Sequence, residues 1–102
     1  MNHVFHPEAA VEFEESVRFY QTRGRTLGDR FAAQVRKSIQ TILKTPERWR
    51  IIEDEVRRCR VAIFPYAVLY SIEREFVLII AIAHDKREPG YWKKRLLSKP
   101  EI

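Results

Sequence analysis

The chain carries few of the residues that brace a small protein by covalent or metal links. It has one cysteine, one methionine and three glycines in 102 residues. A lone Cys59 excludes a disulfide framework and any cysteine-based zinc site. His3 and His6 stand three apart, which in a strand sends them to opposite faces with no acid or thiol beside them, so no metal site is expected there. No cofactor is expected either. No apolar run reaches the roughly 18 residues of a membrane-spanning helix. Acids follow soon after Pro7, unlike the charged-then-apolar order of a signal peptide. Acids are also the minority charge: 14 Asp and Glu stand against 19 Lys and Arg, a net +5 with a sequence pI near 9.7. That surplus favours an anionic partner, nucleic acid or acidic protein. What the chain does have is 45% hydrophobic and 12% aromatic residues, enough for one modest core. The expectation is a single domain over residues 1–102, cytoplasmic and without membrane contact.

The hydrophobic spacing changes along the chain. Val4 and Phe5 form a short strand running into Pro7, which suits the first position of a helix. Ala10, Phe13, Val17 and Tyr20 follow at helical spacing, and Gly24 reads as the cap that ends them. Thr26-Leu27-Gly28-Asp29 resembles a capping box. From it runs a second stripe, Leu27, Phe31, Val35, Ile39 and Ile42, that stops before Pro46. After Pro46 the period drops to two, giving strands over Val56–Phe64, Tyr66–Ile72 and Phe76–Ala83, and Pro89 opens a last short helix. The order is β-α-α-β-β-β-α, an α+β fold with a helical hairpin packed on a small antiparallel sheet. Phe13, Val17, Phe31, Val35, Ile39, Val61, Ile63, Leu78 and Ile80 are expected to share the core.

The cations are clustered. Arg58 and Arg60 alternate on one strand face, with Arg57 pointing the other way. Lys86, Arg87, Lys93, Lys94 and Arg95 follow the last strand, with Trp92 among them. These residues are candidates for binding nucleic acid or an acidic partner. His84 is the only histidine with cations around it. With Arg60 to hold a phosphate and Tyr91 to donate a proton, it is the candidate base for a metal-independent RNA cleavage. A winged-helix reading is disfavoured, because Asp29 at the start of the second helix repels phosphate.

The segments Arg60-Val61-Ala62-Ile63-Phe64-Pro65-Tyr66, Val68-Leu69-Tyr70, Ala81-Ile82-Ala83-His84 and Arg87-Glu88-Pro89-Gly90-Tyr91-Trp92, together with Arg95, resemble the RelE/ParE superfamily of type II toxin–antitoxin toxins. The likeness covers about residues 2 to 96 and departs at His6, where such sequences often carry Ser or Thr as the helix cap. It implies a toxin, of the kind found in plasmid stabilisation systems, neutralised by a cognate acidic antitoxin encoded beside it. RelE-like members are ribosome-dependent mRNA endoribonucleases, and in that case Arg60, His84 and Tyr91 take the catalytic roles. ParE-like members share the fold but poison DNA gyrase. The lysines that RelE-type members place before the arginine are replaced here by Glu53, Asp54 and Glu55, and the Phe64-Pro65-Tyr66 turn is ParE-like. The reading therefore leans to growth inhibition through gyrase, with the ribonuclease as alternative and a non-toxic nucleic-acid or acidic-peptide binding module as a third.

Overall fold

The computed structural model describes residues 1–101. Strand β1 (Asn2–Phe5) leads directly into helix α1 (Pro7–Gln21). Pro7 occupies the first turn, and His6 caps it: the imidazole Nδ1 accepts the Glu8 backbone N–H at 3.1 Å. An imidazole thus does what Ser or Thr does at other helix starts. The helix ends at Thr22, whose hydroxyl donates to the Phe19 carbonyl at 2.6 Å, so the cap lies two residues before Gly24. Helix α2 (Leu27–Lys44) follows, and Thr26 makes no side-chain capping bond, so the expected capping box does not form. Gly28 has a different task. A Cβ there would stand 2.9 Å from the Val17 carbonyl oxygen, so a bare Cα lets the two helices approach. The helical stripe buries as its spacing requires, with Phe31, Val35, Ile39 and Ile42 all inside.

Five strands form one sheet in the order β1-β5-β4-β3-β2. Strands β3 (Val56–Arg60), β4 (Tyr66–Ile72) and β5 (Phe76–His84) make the expected antiparallel meander, whereas β1 lies parallel to β5 and makes the sheet mixed. The extra strand, β2 (Ile51–Glu53), is three residues long. It joins β3 through Asp54 and Glu55 at φ 49° and 63°, a two-residue turn more often built from Asn-Gly. Strand β3 stops at Arg60 instead of reaching Phe64. Ile63 takes φ 76° in the following loop and is 74% exposed, which removes it from the expected core.

Each face of the sheet has its own core. Val77, Ile79 and Ile82 of β5 pack with Tyr66, Val68 and Tyr70 against the helical hairpin. Leu78 and Ile80, expected on that side, point to the other, where they join Val56, Leu69, Ala81 and Trp92. The period of two along a strand requires this, since Val77 and Ile79 already face the helices. A bulge resets the alternation: β4 pairs Leu69 with Ala81 and Tyr70 with Ile79, leaving Ile80 as the extra residue. The second core is covered by the C-terminal segment. Gly90, at φ 77°, turns the chain into it, and the expected last helix is a short 3-10 helix at Lys93–Ser98.

Candidate functional site

Of the residues singled out in the sequence, Arg58, His84, Arg87, Tyr91 and Trp92 line one cavity of about 340 Å³, where β3, β5 and the C-terminal segment meet. Its floor is Ala67, Leu69, Ala83 and Trp92, and its rim carries Arg58, His84, Arg87 and the acids Glu53, Asp85 and Glu88. The pleat of β3 sets which arginines reach it. Cys59 faces the helices, so Arg58 and Arg60 face the opposite side. Arg57, on the helix side, donates to the Glu47 and Trp49 carbonyls at 2.9 and 2.7 Å, which fixes the loop before β2.

Arg58 and Arg60 do come together, and a carboxylate already lies between them. The Arg60 guanidinium donates to both oxygens of Asp85 at 3.0 and 3.2 Å, and Arg58 stands 3.6 Å from the same group. His84 lies at the edge of this trio. Its ring meets Tyr66 edge-on, with centroids 5.0 Å apart. Its Nδ1 accepts the Lys86 backbone N–H at 3.0 Å, so in the neutral ring the hydrogen sits on Nε2. Lys86 and Lys94 are exposed. Lys93 is bound to Glu53 across the cavity mouth, and this hydrogen bond raises the pKa of the ammonium.

Tyr91 also lines the cavity, but its hydroxyl is engaged. Its hydroxyl donates to Glu12 at 2.7 Å, while the Arg87 guanidinium lies 3.9 Å over its ring. Burial, then the bond to Glu12, pushes its phenol well above the usual range. Glu12 is the centre of a four-bond node. One oxygen accepts the Ile82 N–H at 3.0 Å and Arg95 at 2.7 Å, the other accepts Tyr91 and Arg95 at 2.7 and 3.0 Å. Arg95 also donates to the Ile80 carbonyl at 2.9 Å. Burial works against its charge, and the bond and charge of Glu12 outweigh it, so its pKa moves up. The node satisfies the edge of β5 beyond the point where β1 ends. Two of the residues expected to bind a partner are largely buried. Arg95 is 7% exposed and is spent on Glu12, and Trp92, 3% exposed, shows only what it contributes to the cavity floor. Both are held in because they cover the second core. The sequence reading missed Glu12 and Asp85: Glu12 is one of several acids on α1, and nothing local marks it as the one facing the sheet.

Among the described residues no cluster of three His, Cys, Asp or Glu could hold a metal ion, and no helix is long and apolar enough to cross a membrane.

The geometry has a match among known proteins. No curated protein matches the chain in sequence. Among solved structures, the chain is similar to one described as a chromosomal ParDE TA system from P. aeruginosa, with TM-score 0.73 and 11% identity over 82% of this chain and 95% of that one. At that identity the likeness establishes a shared fold. The family model for the ParE toxin of the type II toxin–antitoxin system parDE matches residues 4–89, from β1 through the turn after β5. The chain is therefore a member of the ParE family of type II toxin–antitoxin toxins.

Proposed function

We propose that this toxin arrests growth by acting on DNA gyrase, not by cutting mRNA, and that an acidic antitoxin neutralises it. One observation carries the choice of target: the Nδ1 lone pair of His84 is occupied by the Lys86 N–H. A neutral imidazole has one lone pair, and a general base needs it free. Two further features support the reading. The Tyr91 hydroxyl is donated to Glu12, and Arg60 is already neutralised by Asp85. Wild-type induction with parallel readouts of mRNA ends and DNA breaks tests it. Breaks with intact mRNA are expected, with His84→Ala keeping most of the toxicity. New codon-phased mRNA ends without breaks would sink the gyrase reading.

The antitoxin proposal rests on Arg58 and Arg60, which are spaced to share one carboxylate. An acidic segment would compete with Asp85 for them. Its association rate should fall as salt rises from 0.05 to 0.5 M, because the screening length shortens from more than 10 Å to a few ångströms. Arg58→Gln with Arg60→Gln should slow it at low salt. A rate that ignores both salt and these substitutions would count against capture at this site.

A further inference from the structure

The outer face of α2 carries charge that neither the fold nor the cavity uses. Arg30, Lys37 and Lys44 are all exposed. Spaced seven residues apart, they fall within one arc of about 40° and stand about 10 Å from one to the next, a ridge of about 21 Å. Gln34 and Thr41 continue this face toward a groove of about 280 Å³ that also takes in Lys37, Arg48 and Trp49. No Asp or Glu lines that groove. The one acid of α2, Asp29, lies about 100° round the helix from Arg30. Among the described residues, none of Arg30, Lys37, Lys44 and Arg48 pairs with a carboxylate, although six other basic residues do.

The character of the ridge selects its partner. Protein interfaces are anchored by buried aromatic or aliphatic side chains. The exposed large hydrophobic residues lie at Met1 before β1, on α1, on β2, in the loop after β3 and in the C-terminal segment, and none lies on α2. What remains is a row of cations with an amide between them, the side-chain types that hold phosphates. A duplex offers one charge per about 1.7 Å of axis, roughly a dozen over the length of the ridge. We propose that the outer face of α2 is a docking surface for the phosphate backbone of duplex DNA, engaged without reading base sequence. It does not depend on which enzyme the toxin attacks.

The test is fluorescence anisotropy of the purified chain with a labelled 20-base-pair duplex of arbitrary sequence, and no gyrase present. With three to four phosphates neutralised, the log–log salt slope should be about −3 to −4, a loss of about 100-fold in affinity between 50 and 200 mM salt. The triple variant Arg30→Gln, Lys37→Gln, Lys44→Gln should keep its circular dichroism and melting temperature while its slope flattens by about 3. Lys86→Gln with Arg87→Gln, at the cavity, should leave the slope in place. A wild-type slope shallower than about −1, a triple variant that keeps its slope, or a slope lost through Lys86 and Arg87 would each overturn the proposal. So would displacement of the duplex by poly-glutamate as readily as by unlabelled duplex at equal charge, because that would make the ridge a surface for acidic protein.

Discussion

The two faces of the sheet are covered in different ways. On one, the helical hairpin lays down two amphipathic helices, and the seal is hydrocarbon: Phe31, Val35, Ile39 and Ile42 meet Val68, Tyr70, Val77 and Ile79. On the other, the short 3-10 helix and the residue before it bring Leu96 and Trp92 over Leu78 and Ile80, and the polar node of Glu12, Tyr91 and Arg95 holds them down. A broad apolar cover stays through many small contacts, each replaceable. A narrow one depends on a few hydrogen bonds, and removing any partner leaves the others buried and unpaired.

Truncation on the two faces should therefore differ in kind. Phe31→Ala, in the centre of the hairpin face and ringed by Tyr20, Phe64 and Tyr66, should cost about 3–5 kcal/mol and lower the denaturation midpoint of the whole protein with one transition. A loss under about 1 kcal/mol would mean that this core is not cooperative with the rest. Glu12→Ala should cost about 3 kcal/mol, because Arg95 would be left buried without its carboxylate. Its signature is local: Trp92 fluorescence should shift to the red before the helices melt. If Trp92 emission and helical circular dichroism lose their signals together, the two covers are not separable.

The smallest effect is alkaline. Burial first, and the Glu12 bond second, raise the Tyr91 phenol above its usual range; burial pushes Tyr70, whose hydroxyl donates to the Pro46 carbonyl at 2.6 Å, up to about 12. Unfolded tyrosines lose their protons near pH 10, whereas these keep theirs in the fold. The unfolded state then binds fewer protons, so stability is full below pH 10 and falls as pH rises beyond it. The slope should be at most about 1.4 kcal/mol per pH unit for each tyrosine. Tyr70→Phe and Tyr91→Phe should each flatten it in urea titrations run from pH 9 to 11. An unchanged slope in both would place the loss elsewhere.

How legible each face was in the sequence follows from the same contrast. The hairpin showed because Leu27, Phe31, Val35, Ile39 and Ile42 repeat at one period, and the meander showed because Tyr66, Val68, Tyr70 and Ile72 repeat at another. Period alone does not say which side of a fully apolar strand faces which layer, so Leu78 and Ile80 were assigned to the wrong core. The parallel pairing of β1 with β5 joins residues about 74 apart, and no local pattern encodes it. Strand β2 is too short to show a period, and its turn uses Asp54-Glu55 where Asn-Gly would have signalled a hairpin. At the site, the clustering of Arg58, Arg60, His84 and Arg87 was legible from alternation and order. Their present partners were not, since Asp85 and Glu12 are chosen by geometry alone.

The pairing of β1 with β5, together with the bonds from Glu12 to Arg95 and from His6 to Ser98, ties the first residues of the chain to its last strand and closing turn. On a ribosome, the hairpin can fold early because its contacts are local. The β1 edge must wait for Ile79 to clear the exit tunnel, and the second core for Trp92 and Leu96. Closing contacts so distant in sequence is slow as well as late. The second cover is thus the last part of the fold to close, and the rate at which it closes is set by the meeting of segments about 80 residues apart.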